Sequence, residues 1–205
     1  MNNIVLCIDN GNSYLRETKD YLISHGCKVY MTAGEKTDIC TSLSQIEKDD
    51  GRIDLLLFGA DEQIPQDETI DGEHDWEAIF TCLCEQINRT KNAIEAALPL
   101  MRRGDLKRIG MITKKESSIS YCRDDRNFGQ HMIGAGLNMI GKLYFNQLRP
   151  EGFTFRWYCA EENAGGMCAG KYFLSRLCYD SNEPYIHSDE NRLVMRDSHL
   201  REIPW

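Results

Sequence analysis

The sequence lacks any continuous apolar run near the ~20 residues that a membrane-spanning helix needs, and its mean hydropathy is −0.49. No membrane partner is therefore expected. Basic charge is also short: 24 Lys and Arg stand against 32 Asp and Glu, a net charge of −8. A protein that binds a phosphate backbone relies on clustered cations to displace counterions, so nucleic acid is not an expected partner. The start, Met1-Asn2-Asn3-Ile4-Val5, has no basic segment followed by a cleavage site, which points to the cytoplasm. Repeats, low-complexity tracts and linkers are missing, and 205 residues suit one domain over 1–205.

Cysteine is plentiful but unpaired in pattern. Nine cysteines, an odd number, are scattered through apolar segments, as expected for reduced thiols acting as small hydrophobes. Only Cys82-x-Cys84 is close, and in a helix those side chains point about 200° apart. No metal site is predicted.

What is present is alternation. Apolar runs begin at Ile4, Lys28, Ile53, Arg108, Phe153 and Arg192. Between them, helical periodicity falls over residues 14–24, 38–49, 76–101, 129–148 and 167–179. This pattern predicts a three-layer α/β/α, Rossmann-like fold on a mostly parallel sheet of about six strands. The helix over 76–101 carries an apolar stripe through Trp76, Ile79, Phe80, Leu83, Ile87 and Ile94. The helix over 129–148 clusters Gly134, Ala135, Gly136 and Gly141. Glycine weakens a helix, so a close backbone approach is expected there, to the chain's own sheet or to another subunit.

Several collinear strings resemble the short-chain dehydrogenase/reductase family over nearly the whole chain. Gly51-Arg52-Ile53-Asp54-Leu55-Leu56-Leu57 is similar to the entry into the family's fourth strand, and Ala96-Ala97-Leu98-Pro99 to the end of its long fourth helix. Lys107-Arg108-Ile109-Gly110-Met111-Ile112 resembles the fifth strand, Ala135-Gly136-Leu137-Asn138-Met139 the helix after the Tyr-x-x-x-Lys motif, and Gly152-Phe153-Thr154-Phe155 the sixth strand. Tyr172-Phe173-Leu174-Ser175 and Arg192-Leu193-Val194-Met195 look like the last helix and strand.

The resemblance implies a dinucleotide crevice, and there the chain departs. The family's Gly-x-x-x-Gly-x-Gly turn brings pyrophosphate to a helix N-terminus; its glycine positions fall here at Asp9, Ser13 and Leu15. The corresponding crevice comprises Asp9, Asn10, Gly11, Asn12, Ser13, Gly59 and Ala60. A carboxylate at Asp9 would repel pyrophosphate, although the turn can still cap a helix. A turn that binds nothing and one with residual NAD(P) binding both remain open. With room for one helix between Thr32 and Ile53, the family's third strand is expected to be missing.

The proton-transfer positions depart further. The resemblance places the catalytic Tyr at Gln130, the Lys that lowers its pKa at Gly134, the Ser at Ser117 and the Asn at Gln86. Gln exchanges no proton near neutral pH, and Gly offers no side chain. Tyr121, Lys142 and Tyr144 are the nearest replacements in sequence. The segment that carries the family's substrate lid shrinks to residues 160–166.

Two further patterns have plainer readings. Gly165-Gly166-Met167-Cys168-Ala169-Gly170-Lys171 fits a phosphate-loop spacing, but Tyr172 stands where a Ser or Thr is needed; it is read as a glycine-rich loop capping the last helix. His187, Asp189 and Glu190 are read as a polar turn rather than a metal set. The tail ending in Trp205 either reaches a neighbouring subunit or tucks onto its own domain.

The sequence therefore predicts a divergent, catalytically inactive relative of these enzymes, with no cofactor, acting as a structural or regulatory subunit. The resemblance implies self-association, or pairing with a related subunit, through helices 76–101 and 129–148. The alternatives are an NAD(P)-dependent oxidoreductase for a small carbonyl or alcohol using unorthodox residues, and a nucleotide or metabolite sensor without turnover.

Overall fold

The structure is a computed structural model that describes residues 3–9, 11–59, 69, 71–123, 125–160, 166–175 and 189–205. Strands β1 (Ile4–Asp9), β2 (Lys28–Ala33), β3 (Leu55–Gly59), β4 (Arg108–Thr113), β5 (Thr154–Cys159), β6 (Val194–Arg196) and β7 (Glu202–Ile203) form one sheet. Their order is β2-β1-β3-β4-β5-β6-β7. All pairings are parallel except β6 with β7. The expected count of about six thus gains one short antiparallel strand, β7, from a segment read as a tail. Two residues cannot display a period, so pairing alone reveals it.

Among the described residues the sheet begins at β2, with no strand beyond it, as the single helix between Thr32 and Ile53 implied. That helix is α2 (Lys36–Asp49); the others are α1 (Ser13–Ser24), α3 (Trp76–Met101), α4 (Phe128–Leu148) and α5 (Gly166–Leu174).

Strand β1 is apolar at Ile4 through Ile8 because both of its faces are covered. Ile4, Leu6 and Ile8 join the core with Ile39, Leu43 and Ile46 of α2, Ile94 of α3 and Leu137 of α4. Val5 and Cys7 point the other way, to Leu15 and Leu22 of α1 and to Tyr172 and Phe173 of α5. Two-residue alternation in the strands meets three-to-four-residue stripes in the helices, giving three layers.

The glycine cluster of α4 serves packing inside the chain. A Cβ on Gly141 would lie 2.1 Å from the Trp157 ring, so the helix seats on an indole in β5. Gly136 approaches Leu83 of α3. The stretch read as a glycine-rich loop capping the last helix lies mostly within that helix. From Gly166 onward it is helix, and Gly170 lies against the Tyr21 ring of α1. Its small residues serve the α1 and α5 contact, and Lys171 lies one turn inside the helix, exposed. Gly165 and residues 176–188, including His187 and the C-terminal part of the helix expected over 167–179, lie outside the described residues.

The Gly51-Arg52-Ile53-Asp54 string closes the far end of the sheet. Asp54 is fully buried and accepts from Ile4 N and Asp105 N, both at 2.8 Å. One carboxylate thereby satisfies two backbone donors at the starts of neighbouring segments. The polar-turn reading of Asp189 and Glu190 is given content by their partners. Asp189 receives two hydrogen bonds from Arg196, at 2.6 and 2.9 Å. Glu190 receives Arg108 through two hydrogen bonds at 2.7 and 2.8 Å, and Arg156 at 2.7 Å.

Candidate functional site

The chain runs from β1 out to β2 and returns to β3 on the opposite side of β1. Such a reversal opens a crevice at the carboxyl ends of β1 and β3, where doubly wound sheets bind ligands. The described residues there are Asp9, Gly11, Asn12, Ser13 and Gly59; Asn10 and Ala60 lie outside the described residues.

The turn after β1 is organised by its own polar groups. Gly11 adopts φ +89°, a conformation that favours glycine, and its N–H donates to Asp9 Oδ1 at 2.9 Å. Arg16 Nε lies 3.9 Å from the other oxygen of that carboxylate. Asn12 is the N-cap of α1, with Oδ1 accepting from Leu15 N at 3.2 Å. Its side chain is 2 % exposed and presses on the end of β3, where a Cβ on Gly59 would lie 2.4 Å from Asn12 Cβ. Two donors of this turn, the Gly11 and Leu15 N–H groups, are thus engaged by Asp9 and Asn12. Ser13 is exposed on the first turn.

At the end of β4 the structure brings Ser117 and Gly134 together. Ser117 ends a 3-10 turn, Lys115–Ser117, directly against α4. A Cβ on Gly134 would lie 2.7 Å from Ser117 Cβ and 3.0 Å from its Cα. The space a lysine side chain would leave through is filled by the serine. The Ser117 hydroxyl donates to Lys114 O at 2.7 Å and accepts from Thr113 Oγ1 at 2.8 Å. Asn138 Nδ2 donates to Ser117 O at 2.9 Å. Thr113 was not singled out in the sequence; its signal is a hydroxyl at a strand end, four residues before another.

The remaining positions do not complete a proton-transfer group. Gln130 is half-buried in the first turn of α4. Gln86 is buried in α3, its Nε2 3.8 Å from Cys82 Sγ one turn earlier in the same helix. Tyr144 lies near the far end of α4, donating to Glu95 Oε1 at 3.2 Å, and burial together with that carboxylate pushes its phenol up to about 12. Such a phenol holds its proton and cannot act as an acid/base near neutrality. Lys142 sits with Nζ 4.8 Å over the Phe145 ring, and Tyr121 is 45 % exposed in the loop after Ser117.

His131, beside Gln130, was also passed over. Its Nδ1 donates to Glu116 O at 2.6 Å, so the carbonyl sets which nitrogen carries the proton. Among the described residues no group of three His, Cys, Asp or Glu converges as a metal site. No helix among them is long and apolar enough to cross a membrane.

No protein-family model matches the sequence, and no curated protein matches it. Solved structures do match in shape. A protein described as a short-chain alcohol dehydrogenase from Burkholderia multivorans superposes with a TM-score of 0.77 at 10 % identity, over 100 % of both chains. The carbonyl reductase Sniffer of Caenorhabditis elegans gives 0.77 at 12 % identity, also over 100 % of both. Aldohexose dehydrogenase of Thermoplasma acidophilum gives 0.63 at 16 % identity, over 77 % of this chain and 66 % of that one. The fold is therefore the Rossmann-type fold of the short-chain dehydrogenases/reductases.

Proposed function

We propose that the chain is a divergent short-chain dehydrogenase/reductase that carries out no hydride transfer and serves as a structural or regulatory subunit of a homo- or hetero-oligomer. The observation that carries this reading is the contact of Gly134 with Ser117. The position that would hold a pKa-lowering lysine has no side chain, and the neighbouring serine occupies its exit. The serine's proton is directed at a main-chain carbonyl, not outward. With Gln130 at the tyrosine position, no group at these places exchanges a proton near pH 7.

The β1 turn fits a dinucleotide pyrophosphate poorly. Asp9 puts a carboxylate on the Gly11 N–H and adds negative charge where the phosphates would approach. This supports a chain without NAD(P), and no chemical step is assigned to the cofactor.

A subunit needs a face. Met132, Met139 and Leu143 of α4 are 39 %, 59 % and 58 % exposed, and their spacing puts them along one side of the helix. Trp76 and Phe80 of α3 are 47 % and 49 % exposed, with rings stacked at 5.8 Å. Exposed apolar surface of this kind marks association sites, which supports contact through α3 and α4 with a second copy or a related subunit.

The test joins two measurements. NADH and NADPH are titrated to millimolar concentration by calorimetry and fluorescence, and the mass in solution is taken by light scattering after size exclusion. The expected result is no saturable binding and a mass of at least two chains at micromolar concentration. A strict monomer that captures no partner from its host would overturn the reading.

A second reading, an active oxidoreductase on a small carbonyl or alcohol, draws on one neighbour of this fold, a short-chain dehydrogenase/reductase from Burkholderia multivorans solved with bound NADP. Saturable NADPH binding with turnover would favour it. Binding without turnover would point to a nucleotide or metabolite sensor.

A further inference from the structure

Beside α4, and reaching Ser117, lies a cavity of about 210 Å³ walled by Ile119, Ala135, Asn138, Met139, Leu193 and Trp205. Its far wall is held in place. Ser118 Oγ donates to Pro204 O at 2.5 Å, while Ser120 donates to Trp205 O through Oγ at 2.5 Å and through N at 3.1 Å. These bonds tie the chain after β7 to the loop after Ser117, with Trp205 at the cavity.

One wall residue carries an unmet demand. Asn138 is 6 % exposed, its Nδ2 is used on Ser117 O, and among the described residues its Oδ1 has no hydrogen-bond partner. A buried acceptor left unpaired is unfavourable, and a donor that reaches it recovers the loss. Met139, on the same wall, is 59 % exposed.

We propose that this cavity is a binding site for a small single-ring molecule of the phenol class, whose hydroxyl donates to Asn138 Oδ1 and whose ring lies against Trp205. The size follows from the volume, which is below the ~300–1,000 Å³ typical of drug-sized pockets. The ring follows from the aliphatic walls and the indole, against which a flat apolar face packs well. The hydroxyl follows from the acceptor. A carboxylate is excluded because it would face a carbonyl oxygen, and Lys142, the one cation on the wall among the described residues, lies over Phe145.

The test uses 4-ethylphenol and its methyl ether, 4-ethylanisole, which share shape and differ in the donor. Each is titrated into ¹⁵N-labelled protein while the Trp205 indole N–H signal, assigned by its loss in Trp205→Phe, is followed. The phenol is expected to shift that signal saturably, and the ether to bind about tenfold more weakly. In Asn138→Leu the two ligands become equal. That variant also loses the bond to Ser117, so Met139→Trp, a plug at an exposed rim position, gives an independent check that should abolish the saturable shift. No saturable shift in the wild-type protein, equal affinities for phenol and ether, or binding that survives the plug would each overturn the proposal.

Discussion

Gly134 of α4 lies so close to Ser117 that a Cβ added to it would come within 2.7 Å of the serine Cβ and 3.0 Å of its Cα. A hydrogen bond from Asn138 Nδ2 to Ser117 O, one turn further along the same helix, holds the two segments at that separation. Helix and loop are thereby fitted to each other in a way that leaves no place for a side chain at 134.

The first prediction concerns that fit. Gly→Ala in a helix ordinarily stabilises by roughly 0.5–1 kcal/mol, but Gly134→Ala must displace backbone and is expected to destabilise by about 1–3 kcal/mol, the usual range for overpacking. Gly136→Ala meets the flexible end of Leu83 at 3.2 Å and should be milder. Urea unfolding of the two variants orders them. The double variant Gln130→Tyr with Gly134→Lys should gain no reductase activity, and turnover in it would refute the steric argument.

The second concerns Glu190, which bridges Arg108 and Arg156, two guanidiniums with fully buried side chains. Burial and the neighbouring Arg156 charge already pull Arg108 down to about 10, so the carboxylate is needed to hold the pair. Glu190→Gln leaves buried charge uncompensated and should cost about 3 kcal/mol. Glu202→Gln at the exposed Arg192 pair should cost less than ~1 kcal/mol in the same denaturant series.

The third concerns pH. Burial pushes the Cys7 thiol from 9.0 up to about 12. Above pH 9 the unfolded chain loses this proton while the folded chain keeps it, so unfolded chains bind fewer protons and stability falls as pH rises from 9 toward 12. Cys7→Ala should flatten that part of the stability profile, by up to ~1.4 kcal/mol per pH unit. In iodoacetamide labelling at pH 8, exposed Cys40 and Cys84 should react well before buried Cys7, Cys27 and Cys159.

The fourth concerns association. Leu143→Asp places a charge on the exposed stripe of α4 without touching the core. It should convert the proposed oligomer to single chains by light scattering, with melting of the fold otherwise unchanged. If the mass stays the same, this face is not the contact.

The fifth concerns the β1 turn. Asp9→Gly frees the Gly11 N–H and removes a negative charge at the head of α1. Saturable NADPH binding, which the wild type is expected to lack, should become measurable at millimolar concentration by nucleotide fluorescence. Binding still absent would show that the Asp9 carboxylate is not what keeps pyrophosphate away.

The parts of this protein that were legible in sequence are those governed by short-range rules. Ile4 through Ile8 announced a buried strand because parallel strands are apolar on both faces, and the stripe from Trp76 to Ile94 announced α3. The absence of a strand between Thr32 and Ile53 needed only a count of residues. By contrast, Glu202–Ile203 became a strand because Met195 and Arg196 were waiting at an edge. The close seat of Gly170 against Tyr21 of α1, where a Cβ would lie 2.5 Å from the ring, is likewise a product of the fold.

Sequence alone determined the layered α/β order and the single helix between Thr32 and Ile53. Local propensity and the count of residues between elements suffice for these. Only the tertiary structure decided that Ser117 packs against Gly134, that Asp9 accepts the Gly11 N–H, and that Asn138 and Trp205 line one cavity. Each depends on segments far apart in the chain coming within hydrogen-bond or contact distance, and no periodicity or spacing encodes that.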